Sequence, residues 1–428
     1  MPVEPLSLLS LFSATLILGY AGYLIFEKTG IPDIIWLLLL GLLLGPVFHT
    51  LDQSVFISLF PFLAALALLI ILFDAGLNMD FYQVVKGFPR SMLLAVLNVI
   101  SAMVVVGFLS VFLFKITLLQ GLLMGAILGG TSSAIVVSVV SRLKIGDNIK
   151  TMLSLESIFN DPFTIVIPIA LIGLIIQSAN GSPVNHILSV FSVGAVIGFF
   201  TGIVWAFVLD MLKGRPFDYM LTLAMLFLVY VLAELVGGNG AIATLAFGVV
   251  LGNEKTISTM LKMDKKFSSV SHLFRTFQSE ITFFIRSFFF VYLGIIVSIN
   301  STYVLYGIII SVVLILLRLA IVKVSTLGMK LEKAELRTMQ VMAPRGLAAA
   351  VLSYLPVSMG VPNGQIFSDI VFIVILVTTI YTTVAVEILF RHKPNEEKKV
   401  EQKQKADIKR AEKEVIKLEK KAAVRKKQ

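Results

Sequence analysis

The chain has 428 residues, of which 57% are hydrophobic and 14% are charged, and its mean hydropathy is +0.94. This composition excludes a soluble domain with a large core and indicates a protein that crosses a bilayer many times. The chain has no cysteine, which excludes disulfides, thiolate catalysis and zinc–thiolate sites. The net charge of +10 lies mostly in connecting segments and the tail, which favours membrane orientation over nucleic-acid binding.

Apolar segments follow one another along residues 1–391 and predict an all-α polytopic membrane protein with about 13 transmembrane helices. The first segment begins at Pro5 without a preceding basic stretch, so no cleavable signal peptide is predicted. The predicted spans cover approximately residues 5–26, 33–48, 57–78, 89–114, 118–141, 151–177, 187–211, 217–236, 240–252, 279–299, 302–326, 335–357 and 366–391. Residues 392–428 form a charged tail rich in Lys and Glu.

The segments between the spans alternate in charge. Almost every Lys and Arg falls on one side, and essentially only Lys115 falls on the other. By the positive-inside rule, the basic side and the C-terminus are cytoplasmic, and an odd number of spans places the N-terminus outside. We therefore expect a multi-pass protein of the cell membrane with a cytoplasmic tail.

Two of the predicted spans are interrupted in the middle. Span five contains Gly129-Gly130-Thr131-Ser132-Ser133, and span twelve contains Ala343-Pro344-Arg345-Gly346. Breaks at corresponding places in two halves of a chain are typical of inverted-repeat transporters with a site near the midplane. The sequence thus predicts two inverted repeats, spans one to six and eight to thirteen, with broken, crossing helices in spans 5 and 12.

Span six carries two carboxylates in an otherwise apolar run. Glu156 and Asp161 are five residues apart and point about 140° away from each other on a helix, so two different roles are expected. Asp161 lies about 15 Å from the cytoplasmic end, near the midplane of a ~30 Å hydrocarbon core. Glu156 is shallower and matches the depth of Arg318 in span eleven, which predicts a structural ion pair between them.

Thr131 and Arg345 lie at a depth similar to that of Asp161, but Asp161 has no obvious fixed partner, and this suits it to exchanging a proton for a cation. Burial favours the protonated carboxyl and a neighbouring cation favours the carboxylate, so the two ions compete for one group. Ser157, four residues earlier on the same face, and the opened backbone around Thr131 and Ser132 are expected to complete an oxygen shell. Asn160 is expected to bond to the broken backbone of span five. The alternative is that Asp161 is a structural carboxylate satisfied by hydroxyls and backbone.

Other charged residues have less specific interpretations. Arg345 is expected to offset the partial negative charges of the broken-helix carbonyls, with binding to ligand-bearing neighbours as the alternative. Asp74, near the inner end of span three, is either a ligand or a capping carboxylate. Glu280 and Arg286 are interpreted as markers of the cytoplasmic interface. All four histidines fall in loops or at membrane edges, which argues against a histidine proton relay.

Several motifs together resemble a known family. Glu156-Ser157-Ile158-Phe159-Asn160-Asp161 is similar to the "ESxxND" signature of the sodium/proton exchanger branch of the monovalent cation:proton antiporters. Pro344-Arg345-Gly346 resembles the second helix-break motif of that family. The runs GLLLGP (41–46) and LFDAGL (72–77) also look like its signatures for spans two and three.

The resemblance covers roughly residues 5–391 and implies a homodimer. It implies a core of about 89–177 and 302–391 that moves against scaffold and dimer spans of about 5–78 and 217–299, in an elevator-like manner. Asp161 would carry the ion or proton, with Ser157 and Thr131 as co-ligands of Na⁺, and Asp74 would line the inner funnel. Many relatives place Asp after the Thr of the span-five crossing, whereas this chain has Ser132, which leaves the preferred cation open.

Antiport of Na⁺ or Li⁺ against H⁺ is therefore the leading interpretation, and a single site carboxylate predicts electroneutral exchange. K⁺/H⁺ antiport is the close alternative. A cation channel is less consistent, because no uninterrupted polar pore lining is visible. An enzyme is not expected, since the sequence lacks a Ser/His pair, a His-containing metal motif and paired aspartates at protease spacing. No cofactor is expected; the partners are a monovalent cation, the proton and the bilayer, and no nucleic acid.

Overall fold

The computed structural model of the protein describes residues 5–48, 53–79, 89–143, 145–177, 183–212, 215, 217–260, 272–298 and 300–391. By its contacts the chain divides into two units, Met1–Thr383 and Val384–Gln428, and the site described below lies in the first. The predicted tail, 392–428, lies outside the described residues.

The described part of the chain is almost entirely helical, which confirms the predicted all-α polytopic fold. The α-helices, in chain order, are α1 (Pro5–Thr29), α2 (Asp33–Leu42), α3 (Gln53–Asn78), α4 (Pro89–Phe114), α5 (Leu118–Ile127), α6 (Ser133–Arg142), α7 (Asp147–Gln177), α8 (Pro183–Leu212), α9 (Asp218–Leu235), α10 (Gly240–Gly252), α11 (Glu254–Met260), α12 (His272–Ile296), α13 (Ser301–Ser325), α14 (Lys333–Val341), α15 (Leu347–Leu352), α16 (Leu355–Ser358) and α17 (Gln365–Arg391). A π-helical turn, Leu43–Val47, extends α2 and contains Pro46.

Several of these helices are capped at their N-termini by the side chain of the preceding residue. Thr117 accepts a hydrogen bond from the backbone of Gln120, whose side chain bonds back to Thr117, forming a capping box at α5. Asn239 and Asn300 accept from backbone N–H groups in the first turns of α10 and α13. The first N–H groups of a helix have no partner within the helix, and these side chains accept hydrogen bonds from them. The polar residues before each helix therefore set where it starts.

Eight of the described helices are long and apolar enough to cross a bilayer, by length and composition. Further apolar helices are shorter, among them α5, α6 and α10. Every predicted span overlaps a helix or a broken pair of helices, whereas the number of thirteen crossings stays a prediction. The largest difference in bounds is in span ten, where α12 begins at His272 and not at 279, because polar and basic residues precede the apolar run.

Glycines bring two pairs of helices into backbone contact and position the elements around the site. A Cβ on Gly294 of α12 would lie 2.6 Å from the carbonyl oxygen of Leu38 in α2. A Cβ on Gly248 of α10 would lie 2.6 Å from the carbonyl oxygen of Phe73 in α3. These approaches are possible only without side chains, so α2 with α12 and α3 with α10 form closely packed pairs.

Candidate ion-binding site

Two helix breaks cross at the centre of the first unit. The first lies between α5 and α6, and the second is the non-helical segment between α14 and α15. The Ser132 N–H donates to the carbonyl of Pro344 at 2.8 Å, and the Arg345 guanidinium donates to the carbonyl of Gly130, also at 2.8 Å. Each break therefore forms hydrogen bonds with polar groups of the other, as the predicted crossing requires.

Residues of neighbouring helices form further hydrogen bonds with the backbone of the two breaks. Asn98 of α4 donates to the carbonyl of Gly129 at 2.7 Å, and the Arg345 N–H donates to the Thr378 hydroxyl at 3.2 Å. The expected bond from Asn160 to the broken backbone is wrong: its amide donates to the Thr131 hydroxyl at 3.0 Å. Asn98 fills the backbone role, and it was missed because a single Asn in an apolar span carries no positional signal.

A cavity of about 430 Å³ opens beside the crossing. Its wall includes Asp161, Thr131 and Ser132, together with Asp74 of α3 and Arg286 of α12. The first residues of α15 also line it. The N-terminal ends of the half-helices α6 and α15 thus lie at this cavity, and the partial positive charge of a helix N-terminus stabilises a nearby carboxylate.

Asp161 is one of two carboxylates on the wall of this cavity, the other being Asp74. The Ser133 side chain, on the first residue of α6, is the hydrogen-bond partner of Asp161. Among the described residues no Lys, Arg or His forms an ion pair with Asp161. A carboxylate that is close to hydroxyls and a helix N-terminus, but lacks a fixed cation, can exchange its counterion.

Glu156, five residues earlier on the same helix, lies in a different environment. Its carboxylate is bound in a bidentate ion pair by Arg318 of α13, with one N–O distance of 2.8 Å. The Arg318 Nε also donates to the carbonyl of Met339 at 3.0 Å. Both side chains are 1% exposed, so the pair is closed to solvent and ions. Opposite faces of α7 thus separate a paired from an unpaired carboxylate.

The remaining predicted site residues divide into two groups. Thr131, Ser132 and Asp74 share the cavity wall with Asp161, whereas Ser157 and Asn160 do not line it. The Ser157 hydroxyl is fully buried and donates to the carbonyl of Ser154 at 2.9 Å. Its role as a Na⁺ ligand with Asp161 and Thr131 stays a prediction.

Arg286 is interpreted from the sequence as a marker of the membrane interface, and the structure gives it a specific partner that the sequence did not indicate. Arg286 lies in the interior of α12, on the wall of the cavity, and pairs with Asp33 of α2 at 2.6 Å. Asp33 was not predicted as a functional residue. The two are 253 residues apart in the chain, so no local pattern links them.

Comparisons with known proteins identify relatives of the chain. A chain described as "probable Na(+)/H(+) antiporter 2" of Methanocaldococcus jannaschii is 26% identical over 302 residues, which are 66% of this chain and 70% of the relative. The "K(+)/H(+) antiporter NhaP" of Alkalimonas amylolytica is 24% identical over 85% of this chain and 63% of its own length.

The fold also has a solved counterpart. The structure of the sodium proton antiporter MjNhaP1 from M. jannaschii superimposes with a TM-score of 0.73 at 22% identity, over 89% of this chain and 100% of that one. The family described as "Sodium/hydrogen exchanger, transmembrane" matches residues 12–392. That match includes both helix breaks, the Glu156–Arg318 pair and the cavity at Asp161, and the chain is therefore a member of the transmembrane sodium/hydrogen exchanger family.

Proposed function

We propose that the protein exchanges a monovalent cation for a proton at Asp161. The observation that carries the proposal is the contrast between the two carboxylates of α7. Glu156 is closed off by Arg318, while Asp161 faces an open cavity with hydroxyl neighbours and no fixed cation among the described residues. A proton and a cation can each neutralise this carboxylate but cannot do so together.

The ligand shell follows from the residues on the cavity wall. The Asp161 carboxylate supplies the charge, and the hydroxyls of Thr131 and Ser133 and the backbone near Ser132 supply neutral oxygens. Hard monovalent cations prefer such oxygen ligands, and the half-helix ends leave backbone carbonyls near the site. Ser157 joins this shell only if its hydroxyl turns away from the Ser154 carbonyl. No cofactor takes part.

Na⁺ or Li⁺ is the proposed cation, and K⁺ is the alternative. The first relative described above is named for Na⁺ and the second for K⁺, so likeness alone supports both. Ser132 stands at a break position that faces Gly346 and contributes no charge, so it does not add a second carboxylate to the site. One site carboxylate supports exchange of one cation for one proton without net charge.

The wider proposal concerns the whole membrane domain, 1–391. The segments 89–177 and 302–391 act as a mobile core, and the segments 5–78 and 217–299 act as the scaffold of a homodimer. Elevator-like motion of this core carries Asp161 between the two sides. The chain lies in the cell membrane with its N-terminus outside and its C-terminus in the cytoplasm, as supported by the distribution of Lys and Arg.

The decisive variant is Asp161→Asn, which keeps the shape of the side chain but cannot bind a proton or balance a cation. We expect cation-driven proton flux to fall to the level of empty proteoliposomes with Na⁺, Li⁺ and K⁺ in turn. Asp147→Asn is the matched control, because Asp147 is an exposed residue at the start of the same helix. Retained flux in Asp161→Asn, or none in the wild type with any of these cations, contradicts the proposal.

A further inference from the structure

A second cavity of about 310 Å³ shares four wall residues with the cavity at Asp161, which we call the ion cavity: Asp74, Ala134, Thr282 and Arg286. Asp33 lines only the second cavity. Arg286 is the one basic group among the described wall residues of both cavities, and two carboxylates, Asp33 and Asp74, share those walls with it. Its side chain decides how much positive charge faces the cavity of Asp161.

The Arg286 guanidinium is held by few bonds. It donates to Asp33 at 2.6 Å, while its buried Nε has no hydrogen-bond partner among the described residues. The Phe283 ring lies 5.6 Å from the guanidinium carbon. A guanidinium offers five N–H donors, so this one retains the capacity to bind a second carboxylate.

Asp74 is the nearest alternative partner. It lines both cavities and interacts electrostatically with Arg286, yet no ion pair joins them in the described part of the chain. The backbone contact between α2 and α12 at Gly294 and Leu38 holds the helices that carry Asp33 and Arg286 in register. Asp74, on α3, shares both cavity walls with Arg286 and is the other carboxylate available to the guanidinium there.

We infer that Asp33 is a positioning residue that holds the Arg286 guanidinium at α2 and away from Asp74. This inference rests on the proposed exchange at Asp161. While Asp33 holds the guanidinium, Asp74 and Asp161 together attract an incoming cation. When Asp33 is neutral, Arg286 pairs with Asp74 and acts as an internal cation that competes with the substrate ion.

The test uses Asp33→Asn in the full chain, reconstituted in proteoliposomes. The amide side chain of this variant retains an oxygen that can accept from the Ile34 N–H, as Asp33 does, so the start of α2 is preserved. We expect the half-saturating cation concentration to rise about tenfold, as is reasonable for a unit charge shifted by several Å near a partly buried site. The maximal rate should change much less, and the double variant Asp33→Asn, Arg286→Gln should restore the wild-type half-saturation.

Two further variants keep the outcome decisive. Asp218→Asn is the matched control, because Asp218 accepts from the next backbone N–H at the start of α9 in the same way and lies on neither cavity wall. Arg286→Gln alone should lower the half-saturating concentration, since the positive charge is removed and Asp33 stays; a rise overturns the inference.

The results also separate this inference from the proposed function. If Asp33→Asn keeps the wild-type half-saturation while the wild type exchanges ions, the inference alone fails. It also fails if the double variant does not restore binding, or if Asp33→Asn lowers only the maximal rate and the melting temperature, as a purely structural pair would. Absence of cation-driven flux in the wild type removes the proposed function and the inference together.

Discussion

The two carboxylates of α7 differ in whether a cationic side chain is paired with them. The Glu156–Arg318 pair is buried, and each guanidinium nitrogen donates either to Glu156 or to the Met339 carbonyl. Asp161, on the same helix, borders a cavity and is accompanied by hydroxyls. About one and a half turns of helix thus separate a paired carboxylate from one that lines a cavity.

Removal of one partner of the Glu156–Arg318 pair should be costly. We expect Glu156→Gln or Arg318→Met to destabilise the fold by about 3–5 kcal/mol, because the remaining charge is buried without compensation. The double variant should recover much of this loss, although the Met339 carbonyl loses its donor. Melting temperatures of the purified single and double variants measure the effect. A double variant no more stable than the worse single variant would show that the two residues are not energetically coupled.

At the scale of elements, the important feature is the crossing of two broken helices. Each break leaves backbone groups unpaired within a region where water is scarce, and the breaks satisfy one another through Ser132, Pro344, Gly130 and Arg345. Gly346 has an extended backbone that any residue can adopt, so its role is spatial. A Cβ at this position would lie 2.5 Å from the Cβ of Ser132.

Gly346→Ala should therefore separate the two breaks. We expect a loss of about 1–3 kcal/mol in stability from overpacking, together with a reduced maximal rate of exchange. Melting temperature and proteoliposome flux measure the two effects, and Ser132→Gly in the same chain should relieve part of both. Gly146→Ala is the control, since its new Cβ would meet only the far end of the long Glu335 side chain. Equal losses in Gly346→Ala and Gly146→Ala would contradict the steric argument.

For the molecule as a whole, the proposed exchange at Asp161 requires that the loaded forms move and the empty form does not. An unloaded Asp161 carries a charge through a low-dielectric region, which is unfavourable. A bound proton or cation neutralises it and permits the movement. Under this proposal, one carboxylate accounts for both the coupling of the two ions and the dependence of exchange on pH.

This coupling predicts the response to pH. In the range where Asp161 is mostly protonated, the apparent cation affinity should weaken by up to tenfold per unit decrease in pH, and it should become constant where the carboxylate is already ionised. The maximal rate should vary less. Initial rates against cation concentration at several symmetrical pH values test this. An affinity independent of pH with a steeply varying maximal rate would indicate a distinct regulatory proton site.

The sequence alone was sufficient to determine the class of fold and the position of the helix breaks. Both follow from local signals, namely hydropathy and the Gly and Pro residues within 129–130 and 344–346. A helix that spans a bilayer is a continuous apolar segment, so an interruption of that segment is visible in the sequence. Spacing along α7 likewise separated Glu156 from Asp161, and their depths predicted the pairing with Arg318 that the structure contains. These inferences depend on one helix or on distance along the membrane normal.

Only the tertiary structure decided which side chains meet across the bundle. The bond from Asn98 to Gly129, the contact of Ser132 with Gly346 and the pairing of Arg286 with Asp33 join separate helices, and none has a local signal. Such contacts depend on the rotation of each helix about its axis and on close approaches such as that of Gly294 to Leu38. Because these helices are apolar on nearly every face, their hydropathy does not show which face packs against which neighbour. The charged side chains that face the ion cavity can therefore be identified only from the packed structure.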